Sequence, residues 1–161
     1  GVRTFFNMLG PMVNPSRPKK QLVGVFSPEL QRYYKYIYEQ EDKSYRIVHS
    51  LNGYDEICLT AEVKVVAPHF ERLFSPKEMV GTTLQASQIS GGKTPVQAAE
   101  IFQKVLKGEG TFAQKSVVTA NASMAIQCCN LNITPEEAMS EACESLASGR
   151  AYESFKKLIA L

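Results

Sequence analysis

A short apolar run, a capped helix and a second apolar run follow one another near the start of the chain, and this order constrains the fold strongly. Residues 21–26 are partly β-branched and fit a buried strand. Ser27 followed by Pro28 predicts the start of a helix that reaches about Gln40. Residues 45–50 predict the next strand. A strand, a helix and a strand with short connections form a βαβ unit, which predicts two parallel strands.

Two further segments extend the predicted sheet. Asn52-Gly53 indicates a turn, and residues 56–60 and 62–67 then read as two strands that are close enough to form a hairpin. We therefore expect an α/β fold with a mostly parallel central sheet, one antiparallel excursion and flanking helices.

The second half of the chain is predicted to be helical. Thr94-Pro95-Val96-Gln97 and Thr134-Pro135-Glu136-Glu137 are capping boxes that start two helices, which end near Gly108 and Gly149. A helix over about 113–129 lies between them, and a last one covers about 150–161. The predicted apolar faces are Ala98, Ile101, Phe102, Val105 and Leu106, then Val118, Ala122, Ala125, Ile126 and Cys129, then Met139, Ala142, Cys143 and Leu146.

Composition excludes several functional classes. The 161 residues are 44% hydrophobic and 21% charged, which fits one globular domain. The net charge is +2 and the longest basic run covers only residues 17–20, so we expect no nucleic-acid partner. No apolar stretch is long enough to span a bilayer, and the opening residues do not have the charged and apolar regions of a signal peptide, so we expect neither a membrane span nor secretion. The four cysteines lack C-x-x-C spacing and are expected to be reduced, core or near-core thiols of a cytoplasmic protein.

Arg3 is a candidate ligand-binding residue. It stands in the run R-T-F-F-N-M-L-G-P-M-V-N-P, beside Phe5 and Phe6. A guanidinium next to apolar rings suits an aromatic carboxylate, which it can bind in bidentate fashion. The alternative is a surface arginine whose aliphatic stem packs on Phe6.

The pair Asp55-Glu56 is a candidate metal site. It follows the predicted turn and precedes a predicted strand, and adjacent carboxylates can hold Mg²⁺ when water and substrate phosphates complete the coordination shell. The alternative is a solvated acidic turn. Gly91-Gly92-Lys93 lacks the spacing of a phosphate-binding P-loop, so we interpret it as a turn. Neither His49 nor His69 has a sequence partner that would indicate a catalytic triad.

Three motifs together resemble one enzyme family. The stretch G-V-R-T-F-F-N-M-L-G-P-M-V-N-P, the following Q-L-V-G-V-F-S-P-E-L and the later N-G-Y-D-E-I are similar to anthranilate phosphoribosyltransferase. That family typically has Asp-Gly where this chain has Asn52-Gly53. The resemblance spans the whole chain and implies a C-terminal domain of the nucleoside phosphorylase/phosphoribosyltransferase type.

The resemblance also implies a function. Enzymes of this family transfer the phosphoribosyl group of phosphoribosyl pyrophosphate (PRPP) to the nitrogen of anthranilate, in tryptophan biosynthesis. Arg3 matches the arginine that contacts anthranilate, and Asp55 and Glu56 match the acidic pair that binds Mg²⁺ with the pyrophosphate. The full-length enzyme is expected to be a homodimer.

The same resemblance implies that part of the enzyme is missing. The family's glycine-rich pyrophosphate loop, its Lys-His-Gly-Asn segment and most of its helical N-terminal domain lie upstream of the matching region. The start at Gly1 rather than Met also favours a fragment. We therefore expect residues 1–161 to be a single C-terminal α/β domain without activity of its own. The alternatives are a non-catalytic α/β binding module and a related nucleoside phosphorylase.

Overall fold

The computed structural model describes residues 8–41 and 43–160. Four strands and six helices follow one another in this region, with a 3₁₀ turn at Ala86–Ile89. The elements are β1 (Lys20–Gly24), α1 (Pro28–Glu39), β2 (Ser44–Ser50), β3 (Val63–Ala67), β4 (Phe70–Phe74), α2 (Pro76–Val80), α3 (Pro95–Leu106), α4 (Phe112–Cys129), α5 (Pro135–Ala147) and α6 (Arg150–Ile159). The α/β class and the helical second half are confirmed.

The four strands form one sheet in the order β1-β2-β3-β4. β1 and β2 are parallel and joined by α1, so the predicted βαβ unit is confirmed. β2–β3 and β3–β4 are antiparallel. Within the described residues the sheet is therefore mixed, with one parallel and two antiparallel pairings, rather than mostly parallel as expected.

The predicted hairpin between residues 56–60 and 62–67 is wrong. β3 pairs instead with β4, which the sequence did not predict, through a two-residue connection at Pro68-His69. Leu59 has a φ of 58°, which is left-handed and therefore incompatible with a continuous strand. His69, with a φ of 57°, allows the tight reversal between β3 and β4. The backbone conformation at these two positions thus moves the hairpin downstream.

The sheet carries an apolar cluster on each face. Tyr45 and Ile47 of β2 pack with the α1 residues Leu30, Tyr34 and Tyr38. Neighbouring strand positions point to the other face, where Val48, Val63 and Val65 pack with Ala120 and Met124 of α4 and with Phe74 and Leu84. This alternation follows from the two-residue period of a strand. The result is a layer of helix on each side of the sheet.

The buried face of α4 differs from the prediction. Val118 is 39% exposed and Cys129 is exposed, whereas the buried positions are mostly small or polar. They are Ala113, Ser116, Thr119, Ala120, Ser123, Met124, Gln127 and Cys128. The hydroxyls of Thr119 and Ser123 donate to carbonyls of their own helix, which satisfies them without another partner. Burial of such residues leaves no apolar periodicity for a sequence pattern to detect.

The helix starts follow the predicted capping. Thr134 and Glu137 form the expected reciprocal capping box. Thr94 accepts a bond from the backbone of Gln97, but the Gln97 side chain accepts from Lys93 rather than from Thr94. The first predicted box is therefore half confirmed.

Three other predictions of burial need correction. On α5 the buried residues are Ala138, Ala142 and Leu146, whereas Met139 is half-buried and Cys143 is exposed. Cys58 and Cys128 are buried as expected, but Cys129 and Cys143 are exposed, and all four thiols are free. On α3, Val105 is the buried member of the predicted face, and Phe102 stays 48% exposed.

None of the helices that the structure describes is long and apolar enough to cross a membrane.

Candidate functional site

The carboxyl ends of β1 and β2 lie at the same edge of the sheet because the two strands are parallel. Ligands of open α/β sheets bind at this kind of edge. α1 also begins here, with the Ser27 hydroxyl accepting from the Leu30 amide at 3.3 Å. The Nδ1 atom of buried His49 lies 2.8 Å from the Val25 carbonyl oxygen. A carbonyl only accepts, so Nδ1 carries the proton, and His49 ties the two strand ends together.

The Asp55-Glu56 pair lies at this edge, in the loop that leaves β2. Gly24 ends β1 directly against the loop: a Cβ atom on Gly24 would lie 1.4 Å from the Asp55 carbonyl oxygen. No side chain fits in that space. Glycine at position 24 therefore permits the close approach of the loop backbone to the sheet.

Two side chains fix the backbone of the loop by hydrogen bonds. The fully buried Ser50 donates from its amide to the Tyr54 carbonyl at 3.0 Å and from its hydroxyl to the Glu56 carbonyl at 2.6 Å. From α4, the Asn121 side chain accepts from the Ile57 amide at 3.0 Å and donates to the Ile57 carbonyl at 2.8 Å. We call this pair of bonds the Asn121 clamp. The backbone is thus held on both sides of Asp55 and Glu56.

Polar side chains also stabilise the turn that precedes the acidic pair. Asn52 donates to the Thr60 hydroxyl at 2.8 Å, and the Cys58 Sγ atom lies 3.0 Å from the same hydroxyl. Burial raises the pKa of the Cys58 thiol, but hydrogen bonds with Ser50, Thr60 and Asn52 outweigh that effect and lower the pKa overall. Gly53 has a φ of 94°, which confirms the predicted turn.

The carboxylates of Asp55 and Glu56 themselves face solvent. Neither forms an ion pair with a residue in the described part of the chain. Within residues 8–41 and 43–160, no cluster of three or more His, Cys, Asp or Glu side chains could hold a metal. Two carboxylates suit Mg²⁺ when water and substrate phosphates supply the other ligands. The donor set therefore fits a metal shared with a bound phosphate compound.

Arg3 lies outside the described residues, so the structure does not relate it to the acidic pair. The segment that follows it in the motif is anchored, however. Buried Tyr34 of α1 donates to the Met8 carbonyl at 2.5 Å, and Gln21 of β1 donates to the Pro11 carbonyl at 2.8 Å. Burial raises the pKa of Tyr34, which keeps its hydroxyl protonated as a donor.

The Gly91-Gly92-Lys93 segment is a turn, as interpreted from the sequence. Gly92 has a φ of 91°, and a Cβ atom there would lie 2.9 Å from the Cβ of Gln97. The Lys93 amide donates to the Gln97 side chain, which closes the start of α3. The left-handed backbone and the close contact account for Gly92 by local geometry, whereas a Cβ atom on Gly91 would meet open space.

The chain is similar to known transferases over nearly all of its length. The family described as glycosyl transferase family, a/b domain, matches residues 1–152. The chain belongs to this family. Relatives within it include anthranilate phosphoribosyltransferases from Christiangramia forsetii (53% identity over 157 residues) and Flavobacterium psychrophilum (49% over 157 residues); each match covers 98% of this chain and 47% of the relative.

Solved structures agree with this assignment to the glycosyl transferase family. Anthranilate phosphoribosyltransferase from Thermus thermophilus has a TM-score of 0.88 and 30% identity, over 99% of this chain and 48% of that chain. The Saccharomyces cerevisiae enzyme in complex with PRPP and Mg shares the fold, with a TM-score of 0.83 and 24% identity, over 97% of this chain and 45% of that chain. The chain thus spans about half the length of the relatives it matches. The predicted resemblance is confirmed.

Three residues that fix the backbone of the site, Gly24, Ser50 and Asn121, were not identified from the sequence. Asn121 lies within a predicted helix, but its partner Ile57 is 64 positions away and no local signal connects the two residues. The sequence predicts a strand over residues 21–26, with Gly24 inside it, but the observed strand ends at Gly24. A glycine within a predicted strand can indicate that another backbone segment approaches closely.

Proposed function

We propose that this member of the glycosyl transferase family forms the α/β part of an anthranilate phosphoribosyltransferase. In this proposal Asp55 and Glu56 bind Mg²⁺ together with the pyrophosphate of PRPP, and Arg3 binds the carboxylate of anthranilate. The observation that carries it is the pair of exposed, unpaired carboxylates on a backbone fixed at the carboxyl edge of the sheet. The names of the relatives support the same substrates.

The reaction needs no nucleophile from the protein. The anthranilate nitrogen attacks C1 of the ribose, the bond between C1 and the pyrophosphate oxygen breaks, and the pyrophosphate leaves with the bonding electrons while the amine loses a proton. Arg3 would orient the anthranilate carboxylate and so place the amine for attack. Asp55 and Glu56 would hold the metal against the leaving group. Bound Mg²⁺ would offset the charge that develops on the pyrophosphate.

The chain by itself is proposed to be inactive. The resemblance assigns the glycine-rich pyrophosphate loop and the Lys-His-Gly-Asn segment to upstream sequence, and neither motif occurs in these 161 residues. The acidic pair alone would leave most of the PRPP phosphates without partners. We expect a sensitive turnover assay with both substrates and Mg²⁺ to detect no product from the isolated chain, and clear turnover would contradict this part of the proposal.

The metal site can be tested on the chain itself. We expect Mn²⁺ added with pyrophosphate to broaden the NMR amide signals of residues 54–58, because the paramagnetic ion would lie beside Asp55 and Glu56. Asp55→Asn should abolish this broadening. Glu100→Gln is the matched control, since Glu100 is an exposed acid on α3. Equal broadening in the wild-type chain and in Asp55→Asn would contradict the proposed metal site.

The substrate roles can be tested in a chimaera in which this chain replaces the matching half of the Christiangramia forsetii relative. Loss of one electrostatic contact to a developing charge typically lowers kcat by about 10²–10³-fold, and we expect this for Asp55→Asn. Arg3→Ala should mainly raise the KM for anthranilate, by roughly 10–100-fold, which is the value of a charged hydrogen bond. An unchanged KM for anthranilate would remove Arg3 from the substrate site.

A further inference from the structure

A second cleft lies at the end of the sheet opposite to the acidic pair. It is bounded by the start of β2, the Pro68-His69 turn between β3 and β4, and the connection between α4 and α5, and its volume is about 650 Å³. This size falls in the range of roughly 300–1,000 Å³ that is usual for small-molecule sites. We call it the β2-start cleft.

The charged side chains that line the β2-start cleft are all basic. They are Lys43, Arg46 and Arg72, with His69 beside them, and no acidic residue is among the described residues that line it. Two of the three cations already have partners just outside the lining: Lys43 pairs with Glu41 at 2.5 Å, and Arg72 pairs with Glu78. One of the three cations therefore has no acidic partner in the described part of the chain.

Arg46 is that cation. Its side chain is half-buried, and within the described part of the chain its guanidinium makes no hydrogen bond and no ion pair. Burial lowers the pKa of Arg46, while the Cys128 thiol acts in the opposite direction. A guanidinium has five N–H donors, and it is costly to withdraw them from water without an acceptor. A bound anion would supply the missing acceptor, and a carboxylate could do so in bidentate fashion.

Much of the remaining wall of the cleft is apolar and partly aromatic, and Ser44 and Gln127 add polar groups to it. Phe70 is 39% exposed and Leu131 is 73% exposed, and Ile133 and Phe74 continue the same surface. The guanidinium of Arg72 already stacks on the Phe74 ring, with 4.6 Å between its carbon and the ring centroid. An apolar wall beside a cation favours an organic anion with an apolar body over a small inorganic anion.

We propose that the β2-start cleft binds a small organic carboxylate with an aromatic or apolar body, with Arg46 as the partner of the carboxylate. The ring would pack on Phe70 and Leu131. The site is separate from Asp55 and Glu56 and does not depend on transferase activity, so it can be tested whether or not the proposed function is correct.

The test is an NMR titration of the chain with benzoate. We expect saturable shifts of the Arg46 Nε–Hε signal and of the amides at residues 69–70 and 131–133. Benzamide, which has the ring without the charge, should bind at least tenfold more weakly, and so should inorganic phosphate, which has the charge without the ring. Benzoate shifts that do not saturate, or that map outside the cleft, would overturn the proposal, as would equal affinity for benzoate and phosphate or for benzoate and benzamide.

Variants then assign the binding to named residues. Arg46→Gln should weaken benzoate binding at least tenfold. Arg150→Gln should leave it unchanged, because that exposed arginine on α6 pairs with Glu144 and lies outside the cleft. Phe70→Ala provides a second test on a partly exposed position that does not depend on Arg46→Gln folding correctly, and it should weaken binding at least threefold. Unchanged benzoate affinity in Arg46→Gln or in Phe70→Ala would contradict the proposed contacts.

Discussion

Removal of the Asn121 clamp tests whether the two hydrogen bonds to Ile57 stabilise the loop of the candidate site. The Asn121 side chain satisfies both the amide and the carbonyl of Ile57, a residue that is 1% exposed. It also donates to the Val117 carbonyl of its own helix at 2.9 Å. Asn121→Ala therefore leaves two buried backbone groups of Ile57 without their partner.

The expected cost follows from those two groups. Each buried donor or acceptor that loses its partner typically costs about 1–3 kcal/mol. Asn121 is only half-buried, so water can reach part of the space that the amide vacates and can replace some of the lost bonding. We therefore expect Asn121→Ala to lower the free energy of unfolding by about 2–4 kcal/mol.

Urea unfolding followed by circular dichroism measures this change by linear extrapolation. Asn132→Ala is the matched control, because Asn132 is exposed between α4 and α5, and it should change stability by less than about 0.5 kcal/mol. Asn121→Asp keeps the size of the side chain and the acceptor for Ile57 but loses the donor, so it separates hydrogen bonding from packing. Hydrogen exchange of the Ile57 amide should accelerate in Asn121→Ala. A loss no larger than that of Asn132→Ala would refute the reasoning.

Two further predictions concern the sheet. Gly24→Ala places a Cβ atom against the Asp55 carbonyl oxygen, so it should lower the free energy of unfolding in urea by about 3 kcal/mol or more. Gly91→Ala is the control, because its Cβ atom meets open space, and it should cost less than about 0.5 kcal/mol. Equal effects of the two variants would contradict the close approach of the loop to Gly24. Tyr45→Phe removes a buried hydroxyl that has no hydrogen-bond partner among the described residues, so at neutral pH it should leave the chain as stable or stabilise it by up to about 1 kcal/mol. Burial, together with the charge of Glu39, raises the pKa of Tyr45 in the folded state. Ionisation of Tyr45 therefore favours the unfolded state, and the chain loses stability as pH rises above the unfolded-state pKa of about 10. Tyr45→Phe should therefore lose less stability between about pH 9 and pH 11 than the wild type. Tyr36→Phe is the control, because Tyr36 is 68% exposed, and it should behave like the wild type. The same alkaline loss in Tyr45→Phe as in the wild type would contradict the burial argument.

The parts of the fold that local signals determine were predictable. The order of strand, capped helix and strand gave the parallel pair β1–β2, because short connections leave little freedom of topology. Thr134 and Glu137 marked the start of α5 because their reciprocal bonds are made within four residues. In both cases the interaction that fixes the element lies within the element or directly beside it.

The predictions that were wrong concern parts of the fold that depend on contacts between residues far apart in sequence. Leu59 adopts a left-handed backbone conformation that its residue type does not favour, and its carbonyl accepts from the Leu84 amide at 2.9 Å. That tertiary bond helps to keep the segment before β3 out of the sheet. Likewise, Ser123 and Thr119 lie on the buried face of α4, which is possible because their hydroxyls bond within the helix. Apolar periodicity therefore indicates the wrong face of α4.

The candidate site shows the same division. Its position was predictable, because a turn signal at Asn52-Gly53 followed by two acids indicates a loop with exposed carboxylates. Its rigidity was not, because Gly24, Ser50 and Asn121 come from three separate elements. These three hold the backbone around the acidic pair while both carboxylates stay in solvent without ion pairs.

A fixed backbone with free carboxylates has a chemical consequence. Two carboxylates supply too few ligands for tight binding of Mg²⁺, which keeps several waters and takes further oxygens from phosphates. The metal affinity of such a site should therefore depend on the phosphate compound bound with it. Because the backbone is already ordered, little conformational entropy is lost when the carboxylates and the phosphates share the ion. If the proposed function is correct, Mg²⁺ should therefore bind more tightly in the presence of pyrophosphate than alone, and the clamp and the glycine contact would lower the entropic cost of both events.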